Sequence, residues 1–109
     1  MEAQRPLILH PTSFDAVHTD LEYHIGPGRT LDTEKYTVLV PNLCGNGVSF
    51  SPSNAAEPEA YPKRISIDDN VRAQHSLLQH IGVDLAATPL EMVYGYSMGA
   101  MQALAWARL

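Results

Sequence analysis

The chain has only one cysteine, Cys44, which excludes an internal disulfide and fits a reducing compartment; a small, semi-buried loop residue is its plainest role. Basic residues are few, seven against twelve acidic ones, and they are scattered from Arg5 to Arg108. A net charge of -5 without a basic stripe argues against nucleic acid and anionic membrane as partners. No apolar run approaches the roughly 20 residues of a membrane span. Met1–Pro6 lacks the charged start and apolar stretch of a signal peptide. Internal repeats and low-complexity tracts are also missing. These absences predict a cytoplasmic protein whose 109 residues form at most one small domain, with little margin for a core.

What is present alternates between strand and helix signals. Leu7-Ile8-Leu9-His10 is a short apolar run stopped by Pro11, as expected of a buried strand running into a loop. Residues 14–25 are mixed and have room for a helical turn or more. Gly26-Pro27-Gly28 marks a turn, and Tyr36-Thr37-Val38-Leu39-Val40, ended by Pro41, reads as a second strand. Gly45, Gly47, Pro52, Pro58 and Pro62 punctuate residues 42–62 as one long surface loop. Gly45-Asn46-Gly47 lacks the Lys-Ser/Thr of a phosphate-binding loop and is read as a turn.

Ser66-Ile67-Asp68-Asp69 has the form of a capping box. Behind it Ile67, Val71, Leu78 and Ile81 recur at helical spacing, and Gly82 supplies a stop. Gln74 lies near that stripe, where it either holds a loop by hydrogen bonding or is simply exposed. Leu90-Glu91-Met92-Val93-Tyr94 is the third strand. From Met98 the chain is helical again, with Gly99, Ala100, Ala103 and Ala107 small enough for close packing and Trp106 expected in the core. This order predicts an α/β fold, a parallel sheet with crossover helices. The last helix contains neither Gly nor Pro to end it, and the sequence stops in mid-pattern.

Gly95-Tyr96-Ser97-Met98-Gly99 carries the chemistry. A G-x-S-x-G between an apolar strand and a helix is a nucleophile elbow, a sharp turn that lifts the serine hydroxyl clear of the sheet. Its two glycines avoid collisions with neighbouring backbone. A serine hydroxyl needs an adjacent base, and in enzymes with this elbow the acid and histidine follow the serine in the chain. Only twelve residues follow Ser97, and none is Asp, Glu or His. His10, at the end of the first strand, is a candidate substitute base, with a structural histidine as the plainer reading. His75 and His80 fall on different helix faces, and His18 and His24 lack ligand spacing, so no metal site is expected.

Ser97-Met98-Gly99-Ala100-Met101-Gln102-Ala103-Leu104-Ala105-Trp106-Ala107 resembles the nucleophile segment of the homoserine O-acetyltransferase family, usually S-M-G-G-M-Q-A-L-E-W-A, departing at Ala100 and Ala105. Asp32-Thr33-Glu34-Lys35-Tyr36, Asn42-Leu43-Cys44-Gly45-Asn46-Gly47 and Asp69-Asn70-Val71-Arg72-Ala73-Gln74 match in the family's order. The resemblance implies a partial α/β-hydrolase fold of about three parallel strands, a truncated core segment (1–109) ending just after the elbow. It implies Ser97 as nucleophile, with the backbone N–H groups of Met98 and Thr12 as oxyanion-hole donors; Pro11 has no N–H to offer. Ser97 is then expected beside the loop Pro11–Phe14.

The activity so implied is acyl transfer from acetyl-CoA, a co-substrate rather than a bound cofactor, to a hydroxyl such as homoserine's. Ester hydrolysis is the neighbouring alternative on the same fold. A chain without acid and base is also expected to be incomplete or inactive, a non-catalytic relic or an interaction module. Exposed sheet edges would then favour self-association. Ala107-Arg108-Leu109 loosely resembles a peroxisomal address, although the same residues are expected in a helix.

Overall fold

A computed structural model describes residues 5–13 and 16–108. Strand β1 (Leu7–Leu9) leads through a 3-10 helix (His18–His24) to β2 (Thr37–Leu39). A long loop containing a second 3-10 turn (Pro58–Ala60) then reaches α1 (Ile67–His80), β3 (Leu90–Val93) and α2 (Met98–Arg108). The three strands pair in parallel in the order β2-β1-β3. The first of the described strands is therefore the central one among them. Leu7, Ile8 and Leu9 are all 2% exposed or less, as a parallel strand covered on both faces requires.

Leu7 and Leu9 form the core with Leu78 of α1 and Val83, and Leu39, Leu90, Val93 and Trp106 pack around them. Each such leucine contributes about 1.5–3 kcal/mol through burial. β3 pairs with β1 through a bulge: Leu7 faces Leu90 and Ile8 faces Met92, leaving Glu91 without a partner. The extra residue leaves the carboxylate exposed beside an apolar pair.

α1 starts where its capping box predicts. The Ser66 hydroxyl accepts the Asp69 N–H at 3.0 Å, and the Asp69 carboxylate accepts the Ser66 N–H at 2.9 Å. Val71 and Leu78 are buried as the periodicity requires, but Ile81 is 50% exposed. It is the C-cap, already outside the helical turn that would have swung it inward. In α2 the close contacts belong to Gly99 and Ala105, while Ala107 is exposed.

Residues 42–62 form a loop with its own hydrogen-bonded interior. Asn46 Oδ1 accepts the N–H groups of Val48 and Ser49, and Ser51, 1% exposed, donates to the Ser49 carbonyl and accepts the Gly47 N–H. Gly45 and Gly47, at φ 93° and 92°, turn the chain as L-residues rarely do. Among the described residues no helix is long and apolar enough to cross a membrane. Ala107 and Arg108 close α2, as the helical reading of these residues expects, with Arg108 donating to Asp68 at 2.5 Å. Leu109 lies outside the described residues.

Candidate active site

Ser97 stands between β3 and α2 at φ 55°, the only non-glycine residue with positive φ among those described. A β-carbon in that region crowds the backbone, at a cost of about 1–3 kcal/mol, and such strain clusters at functional turns. The flanking glycines make the turn sterically possible. A Cβ on Gly95 would collide with the Gly99 carbonyl group, and one on Gly99 would sit 2.9 Å from the Pro11 carbonyl oxygen. The Ser97 carbonyl accepts the N–H groups of Ala100 and Met101, so α2 springs directly from the serine. The Ser97 side chain is exposed.

The loops after β1, β2 and β3 all lie at the carboxyl ends of parallel strands, where open α/β sheets bind ligands. The ladder continues past the strands to bring them together: Tyr94 N–H reaches the Leu9 carbonyl and His10 N–H the Leu39 carbonyl. Met98 N–H is one of the first-turn amides an α-helix leaves without an internal partner, and the N-terminal dipole favours a developing negative charge there.

Thr12, completely buried, is the meeting point of three segments. Its hydroxyl accepts the Leu43 N–H at 2.9 Å, its carbonyl accepts Gln102 Nε2 at 2.9 Å, and its own N–H donates to the Pro41 carbonyl at 3.3 Å. In this conformation its amide is therefore engaged rather than offered to a ligand. The bond is long, however, and an oxyanion is a stronger acceptor than a peptide carbonyl. Ser13 is described and half-buried; Phe14, the far end of the expected loop, lies outside the described residues.

Segments that carry the sequence resemblance serve as hubs. Asp32 Oδ1 accepts the N–H groups of Gly28 and Glu34, and these bonds hold its carboxyl below the usual carboxylate range. Asn46 Nδ2 bridges Ala16 and Asn42, and Asn42 Oδ1 takes the His18 N–H. Asn70 on α1 takes the Cys44 N–H at 2.9 Å. A loop is thus tied down from α1, but by Asn70 rather than Gln74. Gln74, 5% exposed, instead donates to Gln102 at 2.6 Å and accepts from Trp106 at 2.8 Å. Burial pushes the Cys44 thiol up, which keeps it protonated.

His10 does not serve Ser97 as a base in this arrangement. It is 1% exposed and its Nε2 lies 2.9 Å from His24 Nε2. Tyr94 and Tyr96 stand edge-on to its ring, with centroids 4.9 and 6.0 Å away. Burial pulls its pKa down; main-chain contact with Tyr94 opposes this and His24 adds to it. Tyr96 is pushed up to about 12, first by its hydroxyl contact with Tyr23 and then by burial, so it remains a neutral phenol. The His10–His24 pair was not legible from spacing, because fourteen residues separate its members in the chain. Its only sequence signal is that both lie next to turns. His18, His75 and His80 are exposed. Among the described residues, no histidine or carboxylate is hydrogen-bonded to the Ser97 hydroxyl.

A cavity of about 660 Å³ opens beside the elbow, between Met98, the Leu43–Asn46 turn and the start of α1 at Ser66–Ile67. Another, of about 490 Å³ around His75 and Val83, shares no residue with the elbow.

No protein-family model matches the chain. It is 41% identical over 104 residues to an ethyl acetate hydrolase of Pseudomonas veronii, covering 92% of this chain and 29% of that protein. It is 40% identical over 88 residues to a homoserine O-acetyltransferase of Thermobifida fusca, covering 76% of this chain and 22% of that protein. The solved structure of the acetyl esterase MekB superposes with a TM-score of 0.83 at 38% identity, over 94% of this chain and 30% of that one. The chain thus spans less than a third of the length of these relatives. The chain therefore belongs to the α/β-hydrolase family that includes these homoserine O-acetyltransferases and acetyl esterases, and it folds as part of that architecture.

Proposed function

We propose that this chain carries the nucleophile of a serine acyltransfer reaction, with acetyl as the acyl group. The observation behind it is Ser97 itself: exposed, at φ 55°, at the carboxyl end of a parallel strand and under a helix N-terminus. Ser97 Oγ would attack the acyl carbonyl and lose its proton to a base. The carbonyl oxygen, become an oxyanion, would be held by Met98 N–H and by an amide of the loop after β1. Collapse would expel the donor's thiolate or alkoxide and leave an acyl ester on Ser97. A hydroxyl or water would then accept the acyl group. The names of the relatives support both acceptors, homoserine for the acetyltransferases and water for the esterases. Acetyl-CoA as acyl donor and a cytoplasmic setting belong to the same proposal.

Among the described residues no base is hydrogen-bonded to Ser97. Loss of a triad member typically costs on the order of 10⁴-fold. The expected behaviour of the 109-residue chain is therefore single, slow acylation without turnover at an enzymatic rate. Intact-mass analysis after incubation with p-nitrophenyl acetate, and separately with acetyl-CoA plus homoserine, tests it beside Ser97→Ala. A single acetyl adduct that maps to Ser97 and vanishes in the variant supports the proposal. Equal labelling of both proteins refutes it.

A second reading, a non-catalytic module that associates through its surface, is favoured by exposed apolar side chains: Leu104 is 73% and Met101 54% exposed on α2. Size-exclusion chromatography with light scattering separates the two readings, since a sharp monomer removes the support for the second.

A further inference from the structure

Behind the elbow runs a chain of three buried or half-buried polar side chains that the acyl-transfer scheme does not use. Trp106 Nε1 donates to Gln74 Oε1 at 2.8 Å, and Gln74 Nε2 donates to Gln102 Oε1 at 2.6 Å. Gln102 Nε2 then donates twice, to the Thr12 carbonyl at 2.9 Å and to the Met98 carbonyl at 3.2 Å. Gln102 is completely buried and Gln74 is 5% exposed.

The chemistry of the two ends fixes the direction of everything between them. An indole nitrogen only donates and a peptide carbonyl only accepts. Trp106 therefore forces Gln74 to turn its oxygen outward and its NH2 toward Gln102. The carbonyls of Thr12 and Met98 force the NH2 of Gln102 toward themselves. Neither amide flips without stranding a buried donor against a donor, or an acceptor against an acceptor, which costs more than losing one bond. The usual ambiguity of a glutamine amide is absent here.

The two carbonyls belong to the two pieces of backbone on which an oxyanion hole depends. Met98 follows the nucleophile, and Thr12 lies in the loop after β1, pressed against Gly99 at the Pro11 carbonyl. A single side-chain NH2 thus spans the nucleophile turn and the loop facing it.

We propose that Gln102 is a positioning residue, which sets the spacing of the two amide-bearing segments around Ser97, and that Gln74 and Trp106 act by holding its amide in the one productive orientation. Its catalytic meaning rests on the acyl-transfer reading above; the geometric claim stands without it. Gln102 touches no reacting atom.

The test uses the full chain with Gln102→Met, Gln102→Glu, Gln74→Met and Trp106→Phe. Reaction of Ser97 with a fluorophosphonate is followed by intact mass, separating the maximal labelling rate from the half-saturating concentration. Positioning lowers the maximal rate by about tenfold to a hundredfold in the Gln102 variants, since misplacement of order 1 Å has effects of that size. The half-saturating concentration stays the same. Trp106→Phe keeps an aromatic ring but removes the N–H donor, and is expected to show a smaller loss in the same parameter. A purely space-filling role predicts no such split, and unchanged labelling in both Gln102 variants overturns the proposal.

Two readouts do not depend on reactivity. Hydrogen exchange at the amides of residues 12–13 and 97–102 rises in Gln102→Met while that of Leu7–Leu9 is unchanged. The indole N–H resonance of Trp106, the one tryptophan in the sequence, moves in Gln102→Glu although that substitution lies one residue further along the relay. If wild-type Ser97 takes no label at all, the acyl-transfer reading fails. The positioning claim is then decided by exchange and the indole signal, and unchanged values there sink it.

Discussion

Gly99 lies directly beneath Pro11: a methyl group on its α-carbon would stand 2.9 Å from the proline carbonyl oxygen. That contact is between backbones, so no side-chain rotation relieves it. Gly99→Ala is expected to push the loop off α2 and cost about 1–3 kcal/mol, the usual range for overpacking. Gly95→Ala, whose methyl would collide with the Gly99 carbonyl group, is expected to cost more. Urea melts of both variants against wild type measure this, and equal midpoints for all three would contradict the tight turn.

Ser97 is held at φ 55°, where glycine is comfortable and alanine is not. Ser97→Gly should therefore stabilise the chain relative to Ser97→Ala, by about 1 kcal/mol, while both abolish acylation. Thermal denaturation of the pair checks the sign. An alanine variant as stable as the glycine one would mean that the turn is unstrained.

The buried His10–His24 contact predicts a loss of stability in mild acid. The folded-state pKa of His10 lies below its ordinary value of 6.5, so the unfolded chain binds the proton more readily. The contribution is fully present above that value and is lost as pH falls through the depressed one. Melting temperature should drop between about pH 7.5 and about pH 5, and the drop should shrink in His10→Leu. Identical slopes for the two proteins would exclude the pair as its source.

The cap of α1 gives a separate acid response, lower on the scale. Hydrogen bonds from Ser66 hold Asp69 below the usual carboxylate range, and Arg108 does the same for Asp68. Both contributions are present above the ordinary aspartate value and disappear as pH falls below about 4. Ser66→Ala is expected to cost about 1 kcal/mol at neutral pH. Its penalty should be smaller at about pH 2.5, where Asp69 no longer accepts strongly. Calorimetry at the two pH values reads the difference.

Local signals made much of the fold legible. Proline after an apolar run marked the ends of β1 and β2 to within one residue, the S-x-x-D box placed the start of α1 to the residue, and the two glycines around Ser97 marked the turn. Long-range facts were not legible. Nothing in the spacing of His10 and His24, or of Gln74, Gln102 and Trp106, says that these side chains meet, because tertiary packing and not periodicity brings them together. Ile81 fits a helical stripe by number but falls one residue past the last turn. The loop at 42–62 read as irregular because its order comes from asparagine and serine side chains, which leave no period. For Thr12, the family resemblance pointed to the residue but could not show that its amide, hydroxyl and carbonyl all have partners.

The strand order has a consequence for how the molecule is made. β1 leaves the ribosome before both of its described partners: Leu7 pairs with Thr37 on one side and with Leu90 on the other. Until β3 emerges, the most apolar segment of the chain has at best one neighbour, and closing so long a segment is slow compared with local helix formation. The nucleophile turn, which follows β3, can take shape only after that last pairing. Synthesis therefore passes through an interval in which the apolar Leu7–Leu9 edge that β3 will cover is open, and such exposed edges are where aggregation competes with folding.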